Sequence, residues 1–147
     1  MAHVRKTIRD NITTTLTGLA TTGSSVYQTR FYPLAEAKVS GLCIYTNSED
    51  VEYTTMTTPR TQMRSLDVTV EAYVKGTSNI DDTLDTIAVE VAEALAADVT
   101  RGGNAKDTKL TRFEATYAGE GDQPVGVGSF TVEVLYATIE NDIETAV

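Results

Sequence analysis

Residues 66–74 alternate without a break, with Leu66, Val68, Val70, Ala72 and Val74 on one side and Asp67, Thr69, Glu71 and Tyr73 on the other. A period of two over that span specifies a β-strand with one face on a core and the other wet or covered by a partner. Soon after it the period changes. Ile80, Leu84, Ile87, Ala88, Val91, Ala92 and Leu95 share one face of a helix expected over residues 78–98. Ser78 suits its N-cap, and Asp81, Asp82 and Asp85 suit its positive end. Burying the aliphatic side chains of this helix, at about 1.5–3 kcal/mol each, is expected to dominate stability.

The rest of the chain falls around that pair. Val4, Ile8, Ile12, Leu16 and Leu19 form a second apolar stripe, predicting a helix over 4–19 with Gly23 as a stop. Strands are expected at 26–32, 39–45, 109–118 and 127–139. Asn47 to Asp50 reads as a turn, 51–56 as a short extended arm and 57–62 as an exposed loop. In the last strand Phe130, Val132, Val134 and Tyr136 face one side, while Leu135 and Ala137 imply partial cover on the other. Residues 141–147 read as a short acidic tail. Clusters such as Thr13 to Thr15 and Thr54 to Thr58 bias the reading toward sheet. The economical arrangement is a single α+β domain over 1–147. It has one antiparallel or mixed sheet of about five to six strands, with both helices packed on one face.

Charge and residue usage exclude several function classes. Lys and Arg number 12 against 21 Asp and Glu, a net charge of −9. The cations are scattered, so no basic stripe grips phosphate. No apolar run reaches the ~20 residues a bilayer span requires, and Arg5, Lys6 and Arg9 are followed by no apolar block of a signal peptide. The single cysteine, Cys43, excludes an internal disulfide, and the single histidine, His3, leaves no mid-chain imidazole for catalysis. Cys43 lies between Leu42 and Ile44 and reads as a packed small residue. Asp81, Asp82 and Asp85 read as helix-start electrostatics, since no histidine completes a metal shell. The glycine-rich stretch 119–128 lacks the Gly-Lys-Ser/Thr ending of a phosphate loop and contains Glu120 and Asp122, so it reads as a flexible loop. Glu71, Glu114 and Glu133 sit on strands, with nothing to set two of them beside a cleft. No catalytic residue, cofactor or metal is expected. Seven tyrosines with no tryptophan suit core edges and subunit interfaces.

The element order then carries a resemblance. A charged N-terminal helix leads into VYQTRFYPLAEAKVSGLCIYT at 26–46, then SLDVTVEAYVKG at 65–76 and IDDTLDTIAVEVAEALAAD at 80–98. TRFEATYAGEGDQPVGVGSFTVEVLYAT follows at 111–138. This series resembles the tail-terminator proteins of long-tailed bacteriophages, the lambda minor tail protein U type, over nearly the full length. The resemblance implies a small α+β domain and a structural, non-enzymatic role. It implies a homo-oligomeric ring, hexameric in that family, in the virion at the head-proximal end of the tail tube, assembled in the host cytoplasm. Such a ring ends tube polymerisation and offers a surface to the head-completion proteins. DNA passes through its centre without specific binding, and no membrane is involved.

A ring needs one surface of each copy to meet a different surface of the next. The arm and loop near 49–64 are the expected material. Tyr53 and Met56 would anchor, and Arg60 and Arg64 would pair with a neighbour's acids. Acidic copies around a bore would repel phosphate and leave transit unhindered. Two other readings stay open at this stage: a different neck or connector protein, and a ligand-binding or enzymatic α+β domain.

Overall fold

The computed structural model describes residues 3–21, 23, 26–28, 40–56, 58–75, 80–118 and 125–147. Helix α1 spans Val4–Leu16, strand β1 Val26–Tyr27, β2 Ser40–Tyr53 and β3 Thr61–Lys75. Helix α2 spans Ile80–Ala96, followed by β4 (Asp107–Ala118), β5 (Val125–Ile139) and β6 (Asp142–Ala146). The strands form one six-stranded sheet in the order β1-β2-β3-β5-β4, with β6 added to β5. Every neighbouring pair is antiparallel except β1 and β2, which run parallel. The α+β architecture is therefore the one expected, with a mixed sheet.

Both helices lie on one face. Val4, Ile8, Ile12 and Leu16 of α1 and Leu84, Ile87, Val91 and Leu95 of α2 are buried in one cluster. That cluster includes Leu42 and Ile44 of β2, Leu66 to Val74 at alternate positions of β3, and Phe130, Val132, Val134 and Tyr136 of β5. The central strands pair without interruption from Thr61 opposite Ile139 to Lys75 opposite Val125. Continuous register lets one inward row face one helix layer along the whole sheet. The other face is closed as well where Cys43, Thr69 and Tyr73 are buried, so the strand read as half-wet is covered within the chain over part of its length. None of the described helices is long and apolar enough to cross a membrane.

Several boundaries differ from expectation, each for a local reason. Helix α1 stops at Leu16 and leaves Leu19 in a bridge to Gly23. Thr13 and Thr17 donate their hydroxyls to the carbonyls four residues back, and Gly18 adopts a positive φ of 91°. Side-chain back-bonding of that kind weakens a helix end. The turn at Asn47–Asp50 and the unpaired arm are not formed. Instead β2 runs on to Tyr53, and its outer half pairs with β3 from Ser48 opposite Asp67 to Tyr53 opposite Gln62. Asn47, the strongest turn former there, is absorbed as the extra residue of a bulge between Thr46 and Ser48. Strand β3 accordingly begins at Thr61, earlier than the alternation alone indicated. The acidic tail is not free, because β6 folds back on β5 through Thr138 opposite Ala146 and Ile139 opposite Asp142. The expected strand 26–32 is seen as the short β1. Its remaining residues from 29 onward, the Ser78 cap and most of the glycine-rich loop lie outside the described residues.

Candidate functional site

The long β2–β3 hairpin carries the residues singled out from sequence. Beyond the bulge, β2 is exposed on both faces from Val51 to Tyr53. The hairpin is closed by Thr54 N–H donating to the Thr61 carbonyl at 2.9 Å and by Thr61 N–H donating to Thr55 Oγ1 at 2.8 Å. At its end Met56 is 97% exposed. The Arg60 guanidinium stacks over the Tyr53 ring, 4.4 Å from its centroid. Arg60 also donates Nε to Glu140 Oε2 at 3.0 Å and its backbone N–H to Glu140 Oε1 at 3.1 Å. Glu140 N–H returns a bond to the Arg60 carbonyl at 2.9 Å. These bonds, led by the one from the Arg60 backbone, hold the Glu140 carboxyl below its ordinary range. The hairpin end is thus tethered to the β5–β6 turn, and Tyr53, Met56 and Arg60 are gathered on one projection.

Arg64 is placed elsewhere. It lies on β3 on the inward row and is buried. Its Nη1 meets Glu49 Oε2 at 2.8 Å, its Nε donates to Thr138 Oγ1 at 3.1 Å, and its Nη2 donates to Gln62 Oε1 at 2.6 Å. Within the protomer both arginines have an acid, Glu140 for Arg60 and Glu49 for Arg64. The sequence reading had supplied those acids from a neighbouring copy.

Glu49 was not singled out, yet it is the hub beneath the arm. The bulge at Asn47 reverses the alternation of β2, so Glu49, opposite Leu66, faces the helix layer. It accepts from Arg64, from Arg5 Nη1 at 2.9 Å and from the Tyr136 hydroxyl. Burial, followed by that bond, pushes the Tyr136 hydroxyl far up. The network ties α1, β2, β3 and β5 together at the base of the arm. Periodicity could not reveal it, because the reversal depends on where a single bulge falls.

His3 completes this end of the molecule. Its Nδ1 accepts the Arg5 N–H at 3.1 Å and caps α1. Burial, then the Arg5 charge, lowers its pKa below 6.5, with Arg64 adding to the effect and Glu49 opposing it. The folded chain therefore keeps His3 neutral where the unfolded chain would take up a proton. Its contribution is complete above about pH 6.5 and is lost as pH falls through that value. Urea midpoints measured from pH 7 to 5.5 are expected to fall. The fall is expected to be shallower in His3→Asn, which keeps a cap acceptor that does not titrate there. Identical slopes would rule out this role.

Elsewhere, chemistry is sparse. Burial and the nearby Glu71 push the Cys43 thiol up to about 11, away from nucleophilic character at neutral pH. Among the described residues no group of His, Cys, Asp or Glu side chains could hold a metal ion. A shallow groove of about 260 Å³ is lined by Arg9, Gln28, Ile44, Tyr45 and Thr46. Arg9 there donates to Gln28 Oε1 at 2.9 Å and Thr46 Oγ1 at 3.0 Å. The arrangement offers surfaces for contact and an internally satisfied polar network.

No family model matches the chain, and no curated protein matches it. Among solved structures, it is similar to a chain from the virion of a native gene transfer agent particle. That similarity has a TM-score of 0.40 and 18% identity, covering 90% of this chain and 92% of the other.

The helix-free face of the sheet has its own character. Asp50, Glu52, Asp67, Glu71, Asp107, Glu114 and Glu133 sit on its rows, against Lys75, Lys109 and Arg112. Much of the negative charge is therefore carried opposite the helices, a distribution that composition alone did not show.

Proposed function

We propose that this chain is a structural virion protein, a subunit of a ring that ends a phage-type tail tube and presents a surface for joining the head. The observation that carries the reading is the exposed arm, with Val51, Tyr53 and Met56 uncovered at the end of an otherwise well-packed hairpin. Apolar side chains gathered on a projection suit burial against another protein chain. The resemblance of the element order to that of tail terminators supports the same role. So does the acidic helix-free face, which would let DNA pass a bore without adhering. The ring's partners would be copies of itself, the tail-tube protein on one side and a head-completion protein on the other. Six copies is the number the resemblance implies.

Deleting the gene from its source is the direct test. The expected result is tails of uncontrolled length, or tails that never join heads, restored by supplying the chain in trans. Joined tails of normal length would overturn the proposal.

A further inference from the structure

We infer that copies of this chain join edge to edge, with β4 of one copy adding to the outer half of β2 in the next. The inference rests on the ring reading above and names the surfaces that would close it.

Two sheet edges stay open among the described residues. Strand β4 pairs with β5 on one side only, and it is exposed on both faces from Lys109 to Thr116. On the far edge, β1 pairs with β2 only at Leu42 and Cys43, so no described strand flanks residues 48–53. Long open edges invite another strand, and proteins that stay monomeric usually blunt them.

The two edges match in direction. From β2 through β3 and β5 to β4, each step is antiparallel, so β4 runs opposite to β2. Two copies in the same orientation, slid by about four residues along the strands (~13 Å) because Lys109 is level with Ser48 across the sheet, bring β4 of one against the outer half of β2 of the next as an antiparallel pair. Both helix layers then lie on the same face, and one sheet runs from copy to copy. Such a contact joins unlike surfaces and closes into a ring when each step turns by an equal fraction of a full circle with no net rise.

They also match in chemistry. A bulge at Thr111 keeps Leu110 and Phe113 together on the helix side, where they are 41% and 43% exposed. Lys109 and Arg112 occupy the opposite face. On β2, Val51 and Tyr53 are on the helix side, and Asp50 and Glu52 are opposite. The register that sets Val51 against Leu110 sets Glu52 against Lys109 and Asp50 against Arg112. Val51 then meets Leu110 directly and lies diagonal to Phe113, which falls opposite Glu49, and acids meet bases across the same strand pair.

The test is a pair of charge reversals, K109E/R112E on one edge and D50K/E52K on the other, read by native mass and light scattering. All four side chains are exposed, so the melting temperature of each variant serves as a folding check. Each reversal alone is expected to weaken self-association about 100-fold or more. Mixing the two variants, or combining all four substitutions in one chain, is expected to restore it. A wild type that assembles and is unaffected by either reversal would overturn this contact and leave the ring reading intact. A wild type that stays monomeric at every concentration would also overturn the contact. The tail-length phenotype of the deletion then decides separately whether the terminator reading survives.

Discussion

Glu49→Ala is expected to destabilise the protein by about 3–5 kcal/mol, lowering the melting temperature by roughly 10 °C in a chain of this size. The carboxylate side chain is only 5% exposed, and that of its partner Arg64 is 10% exposed. Removing the acid strands a buried guanidinium whose remaining partners, Gln62 and Thr138, are neutral. It also deprives the Tyr136 hydroxyl and Arg5 of their shared acceptor. The penalty comes mostly from the uncompensated charge left behind, because a buried ion pair itself contributes little net stability. The double variant Glu49→Leu with Arg64→Met should therefore lose much less than the two single changes added together. Urea unfolding of the four proteins gives the coupling directly. A loss below about 1 kcal/mol for Glu49→Ala would mean that water reaches the network and screens it.

The same residue shows where sequence reasoning stops. The core was legible wherever a single period ruled: β3 from Leu66, β5 from Phe130 to Tyr136, and the centres of both helix stripes lie buried as their spacing required, while Leu19, Ile80, Ala88 and Ala92 at their margins are partly buried. Those residues have few alternatives, since a one-residue slip would turn the whole row to solvent. The β2 segment was legible only as far as Tyr45. Past it, Asn47, Ser48 and Asp50 favour a turn locally, and pairing with β3 along the full hairpin outweighs that preference. A bulge then decides which side chains face inward, and no local pattern announces it. The same limit applies at β4, where Thr111 is the extra residue that puts Leu110 and Phe113 on one face. The last residues read only as a short acidic tail, with no strand expected in them. Its pairing depends on β5 extending past the start of β4 and leaving an edge to fill.

These features divide the molecule into a buried apolar layer and two exposed edges. The apolar cluster between helices and sheet fixes the register of β3 and β5. That register in turn fixes where β2 and β4 end and what they expose. The arm is held by bonds outside the apolar cluster: Arg60 to Glu140 at the tip, and Arg64 and Arg5 to Glu49 at the base. Stability and the proposed contact would thus rest on different residues. Substitutions in the layer should change melting, whereas substitutions at the exposed edges should change association.

Ile87→Ala tests that division from the side of the core. Ile87 is fully buried near the middle of α2, a helix that touches α1, β3, β4 and β5. Truncation removes apolar contacts on a helix caught between layers, which cannot collapse freely into the space left behind. The expected loss is about 2–5 kcal/mol, the range for an aliphatic residue cut back to alanine in a packed core. Val89, two residues along the same helix, is 56% exposed. Val89→Ala should stay within about 0.5 kcal/mol, because little packing is lost and alanine is the better helix former. Thermal melts of the two variants beside wild type make the comparison under identical conditions. Under conditions where Ile87→Ala is still folded, it should self-associate as wild type does, because the charged rows of β2 and β4 are untouched. Equal losses for the two substitutions would mean that α2 does not pack against the sheet through its Leu84, Ile87, Val91 and Leu95 face. The register argument that places both edges would then lose its foundation.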